Sequence, residues 1–273
     1  MTGENLQPTG SAPSESGGRL AIADLEVSFG ERKVVSIADL RLGHAEIVGL
    51  AGESGSGKSM TTLAILGLAH TVGAAVNGSI KLDGLELVGL GAEQLRAIRG
   101  RRIAAIFQSP STAFSPVYRV GSMFVKALRL HGAAKSEAED RAAQAMRQVL
   151  LSPDLMRRYP SQLSGGQLQR VAIALAVALQ AEILLADEPT SALDVTVQAE
   201  VLDLLRGLRE SIGMSILFIS HDLAVVAELC DSVAVMRNGL IVEQGPADRV
   251  LSAPEDAYTI ELLASVPKLA AAP

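Results

Sequence analysis

Short apolar runs alternate along this chain with longer stretches in which apolar residues recur at helical spacing. Ile47-Val48-Gly49-Leu50-Ala51, Ile183-Leu184-Leu185-Ala186 and the runs at 215–219 and 232–236 are continuous and brief. Such runs predict strands buried on both faces, as in parallel sheets. Between them, residues 60–66, 167–179, 195–211 and 223–229 read as helices. In the third of these, Val197, Val201, Leu204, Leu205 and Leu208 fall on one face. Residues 20–42 carry β-type segments expected to form a small antiparallel sheet, and Gly78-Ser79-Ile80-Lys81-Leu82-Asp83-Gly84 reads as a strand running into a turn. After the strand-like 103–107 the pattern changes. Residues 123–130 and 137–151 read as helices split by His131-Gly132, in an insert ending at Tyr159-Pro160. Alternating strands and helices imply an α/β fold: a mostly parallel sheet with helices on both sides, plus a small antiparallel β subdomain and an inserted helical subdomain at about 109–164. No internal repeat is visible.

Gly52-Glu53-Ser54-Gly55-Ser56-Gly57-Lys58-Ser59 lies between the first apolar run and the helical stretch that Met60 opens. It fits Gly-x4-Gly-Lys-Ser in the strand, loop, helix context that gives the motif its meaning. Backbone N–H groups of such a turn point at phosphates, and the helix start adds partial positive charge. The loop residues Gly52, Ser54, Gly55, Gly57 and Met60 are expected to cradle ATP. Lys58 would reach its β- and γ-phosphates, and the Ser59 hydroxyl would ligate Mg²⁺. Far downstream the strand at 183–186 ends in Asp187-Glu188. Asp187 would hold Mg²⁺ through water, and Glu188 would orient or deprotonate the attacking water.

A second Gly-rich turn, Leu163-Ser164-Gly165-Gly166-Gln167, opens another helix. One ATP held at Lys58 leaves it nothing to do within its own chain, which implies that two such chains close face to face around ATP. Together these motifs resemble the ATP-binding subunit of an ABC transporter, over about residues 20–266. The resemblance implies several further roles. Gln108 of Ile106-Phe107-Gln108 would contact Mg²⁺ and the water, in a loop that senses the membrane subunit. Ser164 and Gly166 would bind the γ-phosphate held by the opposite protomer, within a turn completed by Gly165 and Gln167. Asp194 belongs to the loop joining the two sites. His221, in Phe218-Ile219-Ser220-His221-Asp222, would contact the γ-phosphate, and Phe29 would stack on adenine. Arg170 is expected to support the Ser-Gly-Gly turn rather than touch nucleotide.

Composition narrows the class. With 273 residues, 48% of them apolar, the chain can bury a sizeable core in one large domain with a subdomain. Its domain is expected at 19–267, with a disordered N-terminal tail at 1–18 and a short C-terminal tail at 268–273. The tail at 1–18 has no Lys, Arg or apolar core, unlike a signal peptide. A net charge of −6 and 3% aromatic residues give no case for a nucleic-acid partner. The single cysteine, Cys230, supports no disulfide or zinc site. His44, His70 and His131 read as structural. The most apolar stretch, 171–179, falls short of the ~20 residues a spanning helix needs. Transport would therefore require separate membrane subunits.

Within the family, Phe107-Gln108-Ser109-Pro110, Asp194-Val195-Thr196-Val197-Gln198-Ala199 and the tail from Ala257-Tyr258-Thr259 to Val266-Pro267 resemble the peptide/nickel importer group. Leu175 stands where most relatives carry Arg, and short chains lacking that Arg resemble the nickel and metal-chelate branch. The resemblance implies a peripheral subunit on the cytoplasmic face of a bacterial plasma membrane. Its partners would be a second ABC ATPase, identical or paralogous, two permease subunits and an extracytoplasmic solute-binding protein. An ABC exporter ATPase is the alternative. A genome-maintenance ATPase would need a coiled-coil or zinc insertion between the phosphate loop and the Ser-Gly-Gly turn. The roughly 100 residues there carry neither heptads nor cysteines.

Overall fold

A computed structural model describes residues 18–108 and 113–265. Residues 1–17 of the tail expected at 1–18, the Ser109-Pro110 pair and the end of the chain from Val266 lie outside the described residues. The four apolar runs form parallel strands. β3 (Ile47–Ala51) lies between β8 (Ser215–Ser220) and β9 (Ser232–Arg237). Beyond β8 come β7 (Ile183–Asp187) and β6 (Ile103–Ile106). Their continuous hydrophobicity follows from burial on both faces. Leu184, Ala186, Ile216, Phe218, Val233 and Val235 point into one core, while Ile183, Leu185, Leu217, Ile219, Ala234 and Met236 point into the other. Each fully buried Leu, Ile or Phe among them contributes roughly 1.5–3 kcal/mol relative to exposure.

The antiparallel strands are β1 (Leu20–Phe29), β2 (Arg32–Leu42), β4 (Ala75–Leu82) and the short β5 (Leu85–Glu86). In β1, Leu20, Ile22, Leu25 and Val27 are buried, with a register shift after Ala23 that accommodates Asp24 at φ 49°. They do not stand apart from the parallel strands. β10 (Leu240–Pro246), which the sequence pattern did not reveal, pairs antiparallel with β9 and meets β2 through Leu240 and Ser36. The ten strands thus form one hydrogen-bonded sheet, in the order β5-β4-β1-β2-β10-β9-β3-β8-β7-β6.

α1 (Lys58–Ile65) follows the phosphate loop, and α2 (Ala92–Ile98) packs near it through Leu95, which touches the space beside Gly67. In the insert, α3 (Val120–Leu130) and α4 (Lys135–Gln148) begin a few residues earlier than their apolar stripes predict. In α4 the extra residues, Lys135 and Ser136, are exposed, whereas α3 opens on Val120, which is buried. Gly132, at φ 91°, makes the break between them. Val120, Phe124 and Leu128 of α3 and Ala138, Ala142, Ala145 and Met146 of α4 join α5 (Gly165–Ala178) in one core. α6 (Val195–Ile212), α7 (Leu223–Leu229), α8 (Ala247–Ser252) and α9 (Ala257–Ala264) complete the described helices. In β3, a Cβ on Gly49 would stand 2.7 Å from Val226, so glycine lets α7 lie close against that strand.

Candidate active site

β3, β8, β7 and β6 are neighbours and parallel, so their C-terminal ends deliver side chains to one edge of the sheet. That edge is where open α/β sheets place their sites. From β3 comes the phosphate loop. Gly52 (φ 150°) and Gly57 (φ 113°) occupy backbone regions that L residues rarely adopt. A Cβ on Gly52 would stand 2.2 Å from the Met236 carbonyl oxygen. The Lys58 ammonium is folded into its own loop, donating to the carbonyls of Gly52 and Glu53, both at 2.7 Å. Burial pushes its pKa below the ordinary lysine value, with Glu188, Asp187 and Glu53 opposing that shift. These carbonyls are stand-ins that phosphate oxygens can replace. Gly55 (φ 83°) has open space where a Cβ would be, Ser54 and Ser59 are exposed, and Met60 is half-buried beside them. A cation, a helix start and freely approachable backbone fit a polyphosphate.

From β7 comes Asp187, buried at the strand end. Burial raises its pKa above the usual carboxylate value. A hydrogen bond from Ser59 opposes this, Glu188 raises it further and Lys58 lowers it. Ser59 and Asp187 thus form the hydroxyl and carboxylate pair that suits Mg²⁺, a cation that takes oxygen ligands and keeps several waters. Glu188 follows at φ 49°, a left-handed backbone that costs a non-glycine residue on the order of 1 kcal/mol or more. The turn is held by Glu188 N–H donating to Ile219 O at 2.9 Å and by the Ser191 hydroxyl donating to Glu188 O at 3.1 Å.

Glu188 gathers the remaining catalytic candidates. Gln108, just beyond β6, donates from Nε2 to Glu188 Oε2 at 2.8 Å. His221, just beyond β8, places Nδ1 3.0 Å from Glu188 Oε1. An ionised carboxylate only accepts, so Nδ1 carries the hydrogen in this pair. Residues 80 and 33 positions away from Glu188 therefore bracket one carboxylate.

The other expected site residues do not join this cluster. Ser164 accepts from Gln167 N–H at 3.2 Å, and Gln167 Oε1 accepts from Ser164 N–H at 3.1 Å. This capping box starts α5 and satisfies the turn locally. A Cβ on Gly166 would lie 2.4 Å from Val197 Cγ1, whereas Gly165 has only ordinary contact with Leu193. Arg170 of α5 pairs with Glu200 of α6. Asp194 caps α6 by accepting from Val197 N–H at 3.0 Å. Phe29 ends β1, 39% exposed. Its hairpin reaches the phosphate loop through Val34 and Val35, which lie 3.1–3.2 Å from a Cβ placed on Gly57. His44 is tied to Arg19 at 2.9 Å, and Cys230 is buried and free. Motif reading missed Tyr258, whose hydroxyl accepts from Glu53 N–H at 3.1 Å. The family-like tail around it was the sole signal, and it gave no position in space.

The ABC transporter family profile matches residues 35–191, from β2 through the phosphate loop to the turn after Glu188. The chain belongs to the ABC transporter family. This ABC ATPase is 43% identical over 258 residues to a Brucella abortus (strain 2308) chain named as a candidate peptide import ATP-binding protein, covering 92% of this chain and 77% of that one. It is 40% identical over 270 residues to the glutathione import ATP-binding protein GsiA of Escherichia coli (strain K12), covering 94% of this chain and 43% of GsiA. Among solved structures, CbiO1 of Clostridium perfringens shares the fold, with a TM-score of 0.76 at 23% identity over 86% of this chain and 91% of that one. The ATP-binding cassette MJ0796, solved as a dimer in a post-hydrolysis state with ADP and Pi, aligns with a TM-score of 0.72 at 26% identity, covering 84% of this chain and 98% of that one. Among the described residues, no helix of the ABC ATPase is long and apolar enough to cross a membrane.

Proposed function

We propose that this ABC ATPase binds MgATP at the 52–60 loop and hydrolyses it to drive import of a small solute through separate permease subunits. The observation that carries the reading is the Glu188 carboxylate, held by Gln108 and His221 beside Asp187. Ser59 and Asp187, with help from Gln108, would hold Mg²⁺, which would supply positive charge against the phosphates. Lys58 leaves the Gly52 and Glu53 carbonyls for the β- and γ-phosphates. Glu188 accepts a proton from water as the water oxygen attacks the γ-phosphorus. The bond from that phosphorus to the bridging oxygen breaks, giving ADP and phosphate. His221 and Gln108 fix the direction of the Glu188 carboxylate, and His221 would contact the γ-phosphate. Phe29 stacks on the adenine. The chemistry is positioning and charge stabilisation in a preorganised site.

The Ser164-Gly165-Gly166-Gln167 turn completes the site of a second ATPase subunit, a copy or a paralogue, and Asp194 lies in the loop between the two. ATP draws the pair together, and the insert at about 109–164 carries the movement to two permease chains docked over residues 108–125. Hydrolysis removes the γ-phosphate bridge and reopens the pair. The assembly stands on the cytoplasmic face of a bacterial plasma membrane and is supplied by an extracytoplasmic solute-binding protein. The names of the relatives above support a peptide as the solute; nickel or a metal chelate is the finer reading, resting on Leu175. Deleting the gene should abolish ATP-dependent uptake of one such solute. Adding the loaded binding protein should raise the ATPase activity of the reconstituted complex. Extrusion of substrate by that complex without any binding protein would replace the importer reading with the exporter one.

A further inference from the structure

The last described helix touches the phosphate loop, and it does so through one polar atom. Tyr258 of α9 is 2% exposed. Its hydroxyl accepts from the Glu53 backbone N–H at 3.1 Å. The carbonyl of that same Glu53 accepts from Lys58 Nζ at 2.7 Å and from Ser56 N–H at 3.2 Å. Tyr258 therefore grips the residue on which Lys58 leans. Its own placement is over-determined. Asp256 accepts from Tyr258 N–H at 2.8 Å and caps α9, while Glu243 of β10 accepts from the N–H groups of Glu255 and Asp256 at 2.8 and 3.1 Å. The Arg237 guanidinium stacks over the Tyr258 ring, 4.6 Å from its centroid.

The loop is fastened nearby to the β9–β10 turn as well. Gly239 N–H donates to Ser56 O at 2.8 Å, and the Met236 carbonyl fills the space a Gly52 side chain would need. Met236 and Arg237 end β9, and Gly239 lies in the turn that follows. A phosphate loop binds well only if its N–H groups already converge when the nucleotide arrives, because ordering them on binding subtracts from affinity. Packing alone would be served equally by phenylalanine at 258. The hydroxyl adds a hydrogen bond to the loop itself.

We infer that Tyr258 is a positioning residue for the phosphate loop, through which the C-terminal helix α9 sets the affinity for ATP. This rests on the proposal that the loop binds ATP. The test is titration of the full chain with a fluorescent ATP analogue and Mg²⁺, alongside thermal melts, for Tyr258→Phe, Leu262→Ala and Lys58→Ala. Tyr258→Phe should weaken nucleotide binding about three- to tenfold, the range for one neutral hydrogen bond, with a melting temperature close to that of the parent chain. Leu262→Ala removes core packing from the same helix and should lower the melting temperature with little change in affinity. In the permease complex, Tyr258→Phe should raise KM for ATP more than it lowers kcat. Unchanged affinity in Tyr258→Phe together with lost affinity in Lys58→Ala would overturn the role of Tyr258 and leave the ATP site standing. Proportionate loss of affinity and stability in both helix variants would reduce Tyr258 to ordinary packing. Full affinity in Lys58→Ala would instead overturn the ATP reading of the loop.

Discussion

Two glycine-rich turns open helices in this molecule, and they are built in opposite ways. The turn before α1 has Gly57 at the cap position with no side-chain cap, and it is fixed by distant residues: Met236, Gly239, Val34 and Tyr258. It contains its own cation, Lys58, buried and bonded to loop carbonyls. The turn before α5 is fixed by its own four residues through the Ser164 and Gln167 capping box. Its Ser164 and Gly165 are exposed, and it has no lysine or arginine within it. The first turn already holds charge and shape for a polyphosphate. The second offers backbone N–H groups and a hydroxyl at a helix start, without the cation that a triphosphate needs. The difference fits a site in which one turn binds and the other completes.

The largest effect should come from separating chemistry from closure. Glu188→Gln keeps the contact geometry with Gln108 and His221 nearly isosteric but removes the base. Hydrolysis should fall by a factor on the order of 10²–10³ while ATP binding persists and ATP-closed pairs accumulate. Near-normal steady-state ATPase in an intact complex would remove Glu188 from the chemistry.

Ser164→Arg separates the turns from each other. The isolated chain should bind ATP within about twofold of the parent if, as proposed, the turn completes a partner's site and has no part in its own. Closure, read as ATP-dependent dimerisation, should fall on the order of tenfold or more, since a bulky cation meets the facing phosphate loop with its Lys58. Loss of ATP affinity as deep as in Lys58→Ala would show that both turns serve one nucleotide within one chain.

Gly166→Ala gives the smallest effect, and it concerns stability. The added Cβ meets Val197 Cγ1 at 2.4 Å. Overpacking of this kind costs about 1–3 kcal/mol, and Val197→Ala in the same chain should recover part of it. Thermal melts of the two single variants and the double variant measure the coupling. Strict additivity would mean that α5 and α6 do not meet there in solution.

Legibility in the sequence followed the range of the interactions. The parallel strands were readable because burial on both faces leaves a continuous apolar run, as in Ile183-Leu184-Leu185-Ala186. The two turns were readable because their chemistry lies within a few consecutive residues. β10 was not, because Glu243, Gly245 and Pro246 interrupt its pattern and its partners β9 and β2 supply the pairing. α8 and α9 are short, so packing rather than periodicity defines them. Asp194 read as part of a linking loop, and the structure adds its second task as the cap of α6.

The sequence by itself determined which groups are available: a glycine-rich turn with Lys58 and Ser59, the carboxylates Asp187 and Glu188, and a second glycine-rich turn at Ser164. These are legible locally because the groups that carry the chemistry lie within a few consecutive residues, although distant partners fix the shape of the first turn. Tertiary structure alone decided that Gln108 and His221 meet on Glu188, since only the adjacency of β6, β7 and β8 brings their ends to one edge. It also decided that Gly166 serves the contact between α5 and α6, and that the hydroxyl oxygen of Tyr258, some two hundred positions from the loop, accepts a hydrogen bond from Glu53 N–H. Such contacts are set by how sheets and helices pack, and packing is a property of the whole chain.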